Sequence, residues 1–250
     1  MPFGHTAARL TDATRGAIAW MKSHKWSTAA IALAVILVAE YATFPSPAEI
    51  AALKTANPKS TALMDQRSSE ARSDGKAWAA RQQWARLGRI SDHLQHAVIV
   101  AEDGMFFEHE GVDWYEVKES IKKDIQKRRF ARGGSTITQQ LAKNLFLSTS
   151  KDPVRKLKEL LLSSRLEDEL TKNRILEIYL NVIEWGDGVF GAEAAALRFF
   201  GTHASDLSRD EAARMAAVIP SPRRHAPNSD SQYVLRRTRM ILARMAARGW

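Results

Sequence analysis

The sequence predicts a mainly α-helical protein with one hydrophobic helix near its N-terminus. Three observations predict it. Apolar residues recur at three- and four-residue spacing in segment after segment from Ser91 onward. Helix-start residues precede several of those segments, as at Ser91 and Asp152-Pro153. Strand-like alternation is scarce, and no fixed-period repeat runs through the chain.

Composition bounds the rest. The 250 residues hold 37 Lys+Arg against 28 Asp+Glu, a formal charge of +9. Hydrophobic residues make up 45% and charged residues 26%. These are globular proportions, so collagen-like, coiled-coil-only and wholly disordered chains are excluded. The positive balance asks for an anionic partner: nucleic acid, anionic lipid or a phosphorylated substrate. Cysteine is absent, which excludes disulfide scaffolds, Cys-ligated zinc and thiol catalysis.

Residues 1–25 form a basic segment, with Arg9, Arg15, Lys22 and Lys25 against Asp12. Ala29 to Ala39 is an unbroken apolar run of eleven residues, which Glu40 interrupts. From Trp26 to Phe44 the stretch has nineteen residues, near the roughly 20 that a spanning helix needs. Trp20, Trp26 and Tyr41 stand where interfacial aromatics belong, and the cationic flank predicts a cytoplasmic N-terminus. Residues 26–44 are therefore expected to be a transmembrane anchor. A cleaved signal is the competing reading, although Glu40 and Tyr41 spoil a small-x-small cleavage site; a buried core helix is a third. Residues 45–89 are a linker leading into an extracytoplasmic domain, with Ser68 to Lys76 read as a loop. Trp78 and Trp84 are read as partial core or interface anchors rather than a site.

A domain over 90–250 follows. Its first helix starts at Ser91 and ends near Glu102-Asp103-Gly104. Lys118 to Arg132 is a basic patch with seven cations against two acids, net +5. Gly133-Gly134 breaks it, and helix returns from Thr136 to Leu147. Asp152-Pro153 starts another helix, with Leu157, Leu161, Leu166 and Leu170 marking its apolar side. Lys172 to Val182, Ala192 to Phe200, Glu211 to Val218 and Tyr233 to Arg248 complete the chain.

Four constellations could carry chemistry. In Glu102-Asp103-Gly-Met-Phe106-Phe-Glu-His109-Glu-Gly111, a helix ends in adjacent carboxylates. One of them, desolvated by neighbouring aromatics, would have a raised pKa suited to acid/base work; a solvated helix end is the plainer alternative. In Gly133-Gly134-Ser135-Thr136, followed by Gln139, Gln140, Lys143 and Asn144, glycines open a helix whose polar stripe suits sugar and phosphate. The spacing is not a Walker motif, and Ser135 or Thr136 as a simple N-cap is the blander reading. Arg155-Lys156-Leu157-Lys158-Glu159 is either a surface i,i+4 ion pair or a carboxylate ringed by cations that hold a pyrophosphate. Lys172 to Asn181 and Gly186 to Ala195 read as close packing of backbones. Arg223, Arg224, Arg236, Arg237, Arg239, Arg244 and Arg248 read as a solvated face near lipid headgroups, with a substrate role as the alternative.

In this order and spacing, EDGMFFEHEG, GGSTITQQLAKN, RKLKE, KNRILEIYLN and GDGVFGAEAA resemble, one after another, the five signature blocks of the peptidoglycan glycosyltransferases. The resemblance covers about residues 90–222. The length leaves no room for a transpeptidase domain with an S-x-x-K nucleophile, so it points to the monofunctional members.

The resemblance implies a lysozyme-like helical head with a membrane-associated jaw at about 113–132. It implies polymerisation of lipid II into β-1,4 glycan strands, with release of undecaprenyl pyrophosphate. Glu102 then matches the catalytic general base and Glu159 the second acid. Lys143 meets the pyrophosphate, with Lys158 and Arg155 in the same cationic set. Gln139, Gln140, Asn144, Ser135 and Thr136 match polar cleft residues, and Asp103, Phe106 and His109 support the first block. Lys151 stands where a phosphate-binding cation is usual, without the bidentate fork of Arg. No tightly bound cofactor and no dedicated metal cage are expected; a divalent cation, Mg or Mn, could accompany the pyrophosphate. The partners implied are lipid II, the growing glycan, an anionic membrane, and cell-wall synthesis or division proteins. The location implied is the bacterial inner membrane, with the catalytic domain periplasmic.

Two rival readings have discriminating features. A lysozyme-like peptidoglycan-cleaving enzyme shares the helical fold but leaves GGSTITQQLAKN and the cations around Glu159 without a purpose. A nucleic-acid binder fits the charge, but its basic residues lack interleaved stacking aromatics.

Overall fold

The computed structural model describes residues 24–42, 44–114, 118, 134–149 and 152–250. Residues 115–117 and 119–132 of the expected jaw, with them the basic patch beyond Lys118, and Gly133, Lys151 and nearly all of the N-terminal basic segment lie outside the described residues. The chain divides into two compact units, Met1–Ser46 and Pro47–Trp250.

In the first unit the apolar run forms helix α1, Lys25–Ala42. Trp26, Ile31 and Val35 are exposed on it. Among the described residues, no helix is long and apolar enough to cross a membrane. The 18 residues of α1 span about 27 Å at 1.5 Å each, short of the roughly 30 Å hydrocarbon thickness, and Lys25 and Glu40 lie inside it.

The second unit is helical around a small sheet. Its helices are α2 (Pro47–Ala52), α3 (Ala62–Ser73), α4 (Asp92–Glu102), α5 (Ile137–Phe146), α6 (Pro153–Glu169), α7 (Lys172–Val182), α8 (Ala192–Phe200), α9 (Arg209–Val218) and α10 (Gln232–Ala247). Strands β1 (Arg81–Gln82), β2 (Glu184–Gly186) and β3 (Val189–Phe190) pair in the order β1-β3-β2, the first pair parallel and the second antiparallel.

Local chemistry sets the boundaries. Ser91 caps α4 by accepting from His93 N, and Asp152 caps α6 by accepting from Arg155 N, with Pro153 at the first helical position. Thr136, rather than Ser135, is the N-cap of α5. The expected loop at Ser68 to Lys76 is corrected: α3 continues to Ser73, because Thr61 caps it and Arg67 pairs with Glu70 one turn on.

Helix α7 is the core of this unit. Ile175, Leu176, Ile178, Tyr179, Leu180 and Val182 are all essentially buried. The Asn181 side chain accepts from Ala85 N and donates to Ala85 O, each at 2.8 Å, which fixes the approach to α4. Gly191 is required beside it. Its φ is 82°, and a Cβ there would lie 2.8 Å from Asn181 O. The fourth constellation is thus structural, as its glycines suggest. Trp78 packs edge-on against Phe190, and Arg174 sits over Trp84, so both tryptophans are the partial core expected of them.

The apolar side of α6 needs correction. Leu157 and Leu161 are exposed, while Glu159, Leu162, Ser163 and Leu166 face inward. Helix α5 packs between α6 and α7, and α9 packs on both α4 and α10. These two layers bring the end of α4, the start of α5 and the length of α10 together.

Candidate active site

A cavity of about 650 Å³ opens where those three elements meet. Glu102, Asp103, Ser135, Thr136, Gln140 and Lys143 line it, all anticipated from the sequence. Asp113, Pro220, Arg237, Met240 and Arg244 line it as well.

Glu102 is the last residue of α4. Its Oε2 accepts from Gln140 Nε2 at 2.9 Å, and Gln140 Oε1 accepts from Tyr179 Oη at 3.0 Å. Arg237 lies 3.8 Å from the other carboxylate oxygen. Burial pushes the Glu102 carboxyl above its ordinary range; Gln140, Arg237 and Lys143 pull it back, and Asp103 adds to the rise. Tyr179 is pushed well above its ordinary value by burial and by the two carboxylates, so it stays a protonated donor to Gln140. A carboxylate held by one amide and facing a cavity can take a proton from a bound hydroxyl.

Asp103 turns the other way. It accepts from Ile137 N at 2.9 Å, the first backbone N–H of α5, and meets His109 Nε2 at 2.9 Å. It therefore ties the end of α4 to the start of the helix that carries Gln140 and Lys143. Thr136 Oγ1 donates to Gly111 O at 2.6 Å. Gly111 has φ 81°, and a Cβ there would crowd Glu167 Cγ and the Ser163 backbone. Lys172 Nζ donates to His109 O and pairs with Glu167 at 2.8 Å, and it stands 4.7 Å from the Phe106 ring centre. Phe106 and His109 are thus supports for the turn, not cavity walls. Asp103→Ala removes the acceptor of two donors at once. It is expected to lower the unfolding free energy by about 3 kcal/mol. Urea denaturation checks it, and a loss under about 0.5 kcal/mol would show that the tie is idle.

The carboxylate of the third constellation is buried, which corrects the surface-pair reading. Glu159 is 3% exposed and accepts from Arg155 at 2.6 Å and from Lys156. Lys156 Nζ also donates to Ser135 Oγ and Gln139 Oε1, each at 3.1 Å. Lys156, not Lys158, is the lysine that joins the carboxylate to the α5 entrance. The helical turn decides this: positions 156 and 159 are i,i+3, whereas 158 points about 100° away from 159. Burial pulls the Lys143 ammonium below its ordinary range; Glu159 opposes this, Arg155 and Lys156 reinforce it, and Glu102 opposes it again. Glu159, Arg155, Gln139, Asn144 and Lys158 do not line the cavity itself, and Gln139 and Asn144 are buried in α5.

Arg223, Arg224, Arg236, Arg239 and Arg248 are exposed, as a solvated face requires; the other two of the seven C-terminal arginines depart from that reading. Arg237 and Arg244 enter the cavity wall, with Arg237 held by donating to Ala217 O at 2.9 Å. A signal existed in their spacing: Arg237, Met240 and Arg244 fall at i, i+3 and i+7 on one helix face. No comparable signal marked Asp113 or Pro220.

A family model described as Transglycosylase matches residues 70–246. A protein named "Biosynthetic peptidoglycan transglycosylase" from Nitrosospira multiformis is 46% identical over 222 residues, covering 89% of this chain and 95% of the relative. One of the same name from Dechloromonas aromatica is 48% identical over 191 residues, 76% of this chain and 83% of the relative. Another, from Methylobacillus flagellatus, is 49% identical over 189 residues, with coverage of 76% and 82%.

Proposed function

The chain belongs to the transglycosylase family, and from that premise we propose that it polymerises lipid II into β-1,4 glycan, with Glu102 as general base. It is a peptidoglycan transglycosylase, a glycosyltransferase. One observation carries the finer reading: a single cavity holds a desolvated carboxylate, Glu102, beside the cations Lys143 and Arg237. That kit suits attack by a sugar hydroxyl on a carbon whose leaving group is a diphosphate. The acceptor 4-hydroxyl oxygen bonds to the donor C1 as the C1–O bond to phosphate breaks. Its proton passes to Glu102, and undecaprenyl pyrophosphate leaves. The leaving group needs positive charge near it, not a proton donor. Attack from the face opposite the phosphate inverts an α-linked donor into a β-linked product.

A glycan-cleaving enzyme commonly needs two balanced carboxyl groups across the bond. Here the second acid, Glu159, is buried under Arg155 and Lys156 and does not line the cavity. Incubation with lipid II separates the readings. Long glycan is expected; digestion of finished cell wall with no polymer formed would overturn the proposal. Among the described residues, no group of three His, Cys, Asp or Glu could hold a metal. A Mg or Mn ion, where used, would come with the diphosphate.

The lysozyme-like head, the jaw at 113–132, and an inner-membrane location with a cytoplasmic N-terminus and a periplasmic domain belong to the same proposal. So do an anionic membrane and cell-wall synthesis or division proteins as partners. The exposed apolar residues of α1 and the basic residues before it support a membrane-associated N-terminus. Removing residues 1–44 is expected to lower activity on vesicle-borne lipid II by on the order of tenfold, through lost local concentration. Activity on detergent-dispersed lipid II should stay within about twofold. Equal losses in both assays would count against an anchoring role.

A further inference from the structure

Helix α10 touches the helix that carries Glu102 at regular intervals. Arg244 Nη1 donates to Val100 O at 3.2 Å, and Arg248 Nη1 donates to Gly104 O at 2.6 Å. The chain's last residue, Trp250, stacks on His96, with ring centres 4.2 Å apart and planes 13° from parallel. His96, Val100 and Gly104 are four residues apart, so the contacts follow one face of α4 and run past its end.

The chemistry of a helix end explains why two arginines sit there. The last four carbonyls of a helix have no partner inside it. In α4, Ile99 O accepts from Asp103 N, and Val100 O is taken by Arg244. Cationic side chains also favour the negative end of the helix dipole. Glu102 follows Val100 by two residues and precedes Gly104 by two, so the two guanidinium bonds bracket it.

We infer that Arg244 and Arg248 are positioning residues: they clasp the carbonyls on either side of Glu102 and hold its carboxylate toward the cavity. The inference rests on the reading of Glu102 as the base. Arg237 differs, because it faces the carboxylate itself. Arg244 also lines the cavity, so direct substrate contact is the rival role that the test must separate.

Both residues are exposed, so substituting them does not cut into the core. The experiment uses the full chain with Arg244→Met, Arg244→Lys and Arg248→Ala. It measures lipid II polymerisation kinetics in detergent and amide hydrogen exchange over 102–108. Arg244→Met is expected to lower kcat about tenfold, with KM within about twofold, because a misplaced catalytic group loses rate rather than binding. Exchange over 102–108 should quicken. Arg244→Lys should recover most of the rate, since an ammonium can still donate to Val100 O. Arg248→Ala should give about a threefold loss of kcat. A raised KM with kcat unchanged would make Arg244 a substrate ligand and overturn the clasp. Unchanged exchange in both Arg244→Met and Arg248→Ala would overturn it as well. Glu102→Gln is assayed beside them: polymerisation within about tenfold of the parent there retires Glu102 as the base, while the exchange data still decide the clasp.

Discussion

Glu102→Gln is expected to slow lipid II polymerisation by about a thousandfold or more, within the span that general bases contribute, while making the folded protein more stable at neutral pH. The two effects share one cause. Glu102 is desolvated, and its carboxyl is pushed above the ordinary value of 4.5. In the unfolded chain it ionises at the ordinary value, so the folded state holds its proton to higher pH. The stability this gives is present at low pH and is lost as pH rises through the folded-state value. At pH 7 to 8 the ionised carboxylate is a net cost that the enzyme carries for its chemistry.

Glutamine keeps the shape and can still accept from Gln140, but it cannot take a proton. The expected rise in Tm is about 2 °C, read by thermal denaturation at pH 7.5. In the parent enzyme, the acidic limb of the rate profile should inflect above the ordinary carboxylate range, because only ionised Glu102 is a base. A Glu102→Gln protein that polymerises within tenfold of the parent would remove Glu102 from the chemistry.

Much of the site was legible in the sequence because its signals are local. Ser91 and Asp152-Pro153 start their helices where the cap rules place them. Adjacent Glu102 and Asp103 at a helix end do split into a cavity-facing carboxylate and a supporting one. What stayed hidden depends on which helix meets which. On α6, leucines mark more than one face, and only packing against α5 and α7 selects Leu162 and Leu166 over Leu157 and Leu161. The buried stripe of that helix includes Glu159 and Ser163, so hydrophobicity alone points to the wrong side. Arg244 and Arg248 look like part of a solvated face until α4 is placed against them. Cation clusters are ambiguous in one dimension, since sequence does not show whether a carbonyl, a carboxylate or water receives them.

Glu159→Gln is expected to narrow the active pH range from its alkaline side and to destabilise the fold. The buried Glu159 carboxylate accepts from Arg155 and Lys156, and it is the foremost group keeping Lys143 charged against the pull of burial. Replacing it with an amide leaves Lys143, Arg155 and Lys156 facing one another with Glu102 as the remaining nearby anion. Breaking a buried ion pair by removing one partner costs about 3–5 kcal/mol, and the partial exposure of Lys156 puts this case near the lower figure. Urea denaturation should show that loss. The folded-state Lys143 pKa should fall further, so the cation is lost at lower pH as pH rises. If Lys143 must be an ammonium to meet the diphosphate, the alkaline limb of kcat/KM shifts to lower pH, with little movement of the acidic limb set by Glu102. Restoring the carboxylate one methylene shorter, as Glu159→Asp, should recover part of the limb's position even where it does not recover full stability. An alkaline limb that stays in place in Glu159→Gln, with the stability loss still present, would make Glu159 a packing residue only. The role as second acid assigned to it by family resemblance would then reduce to holding α6 against α5.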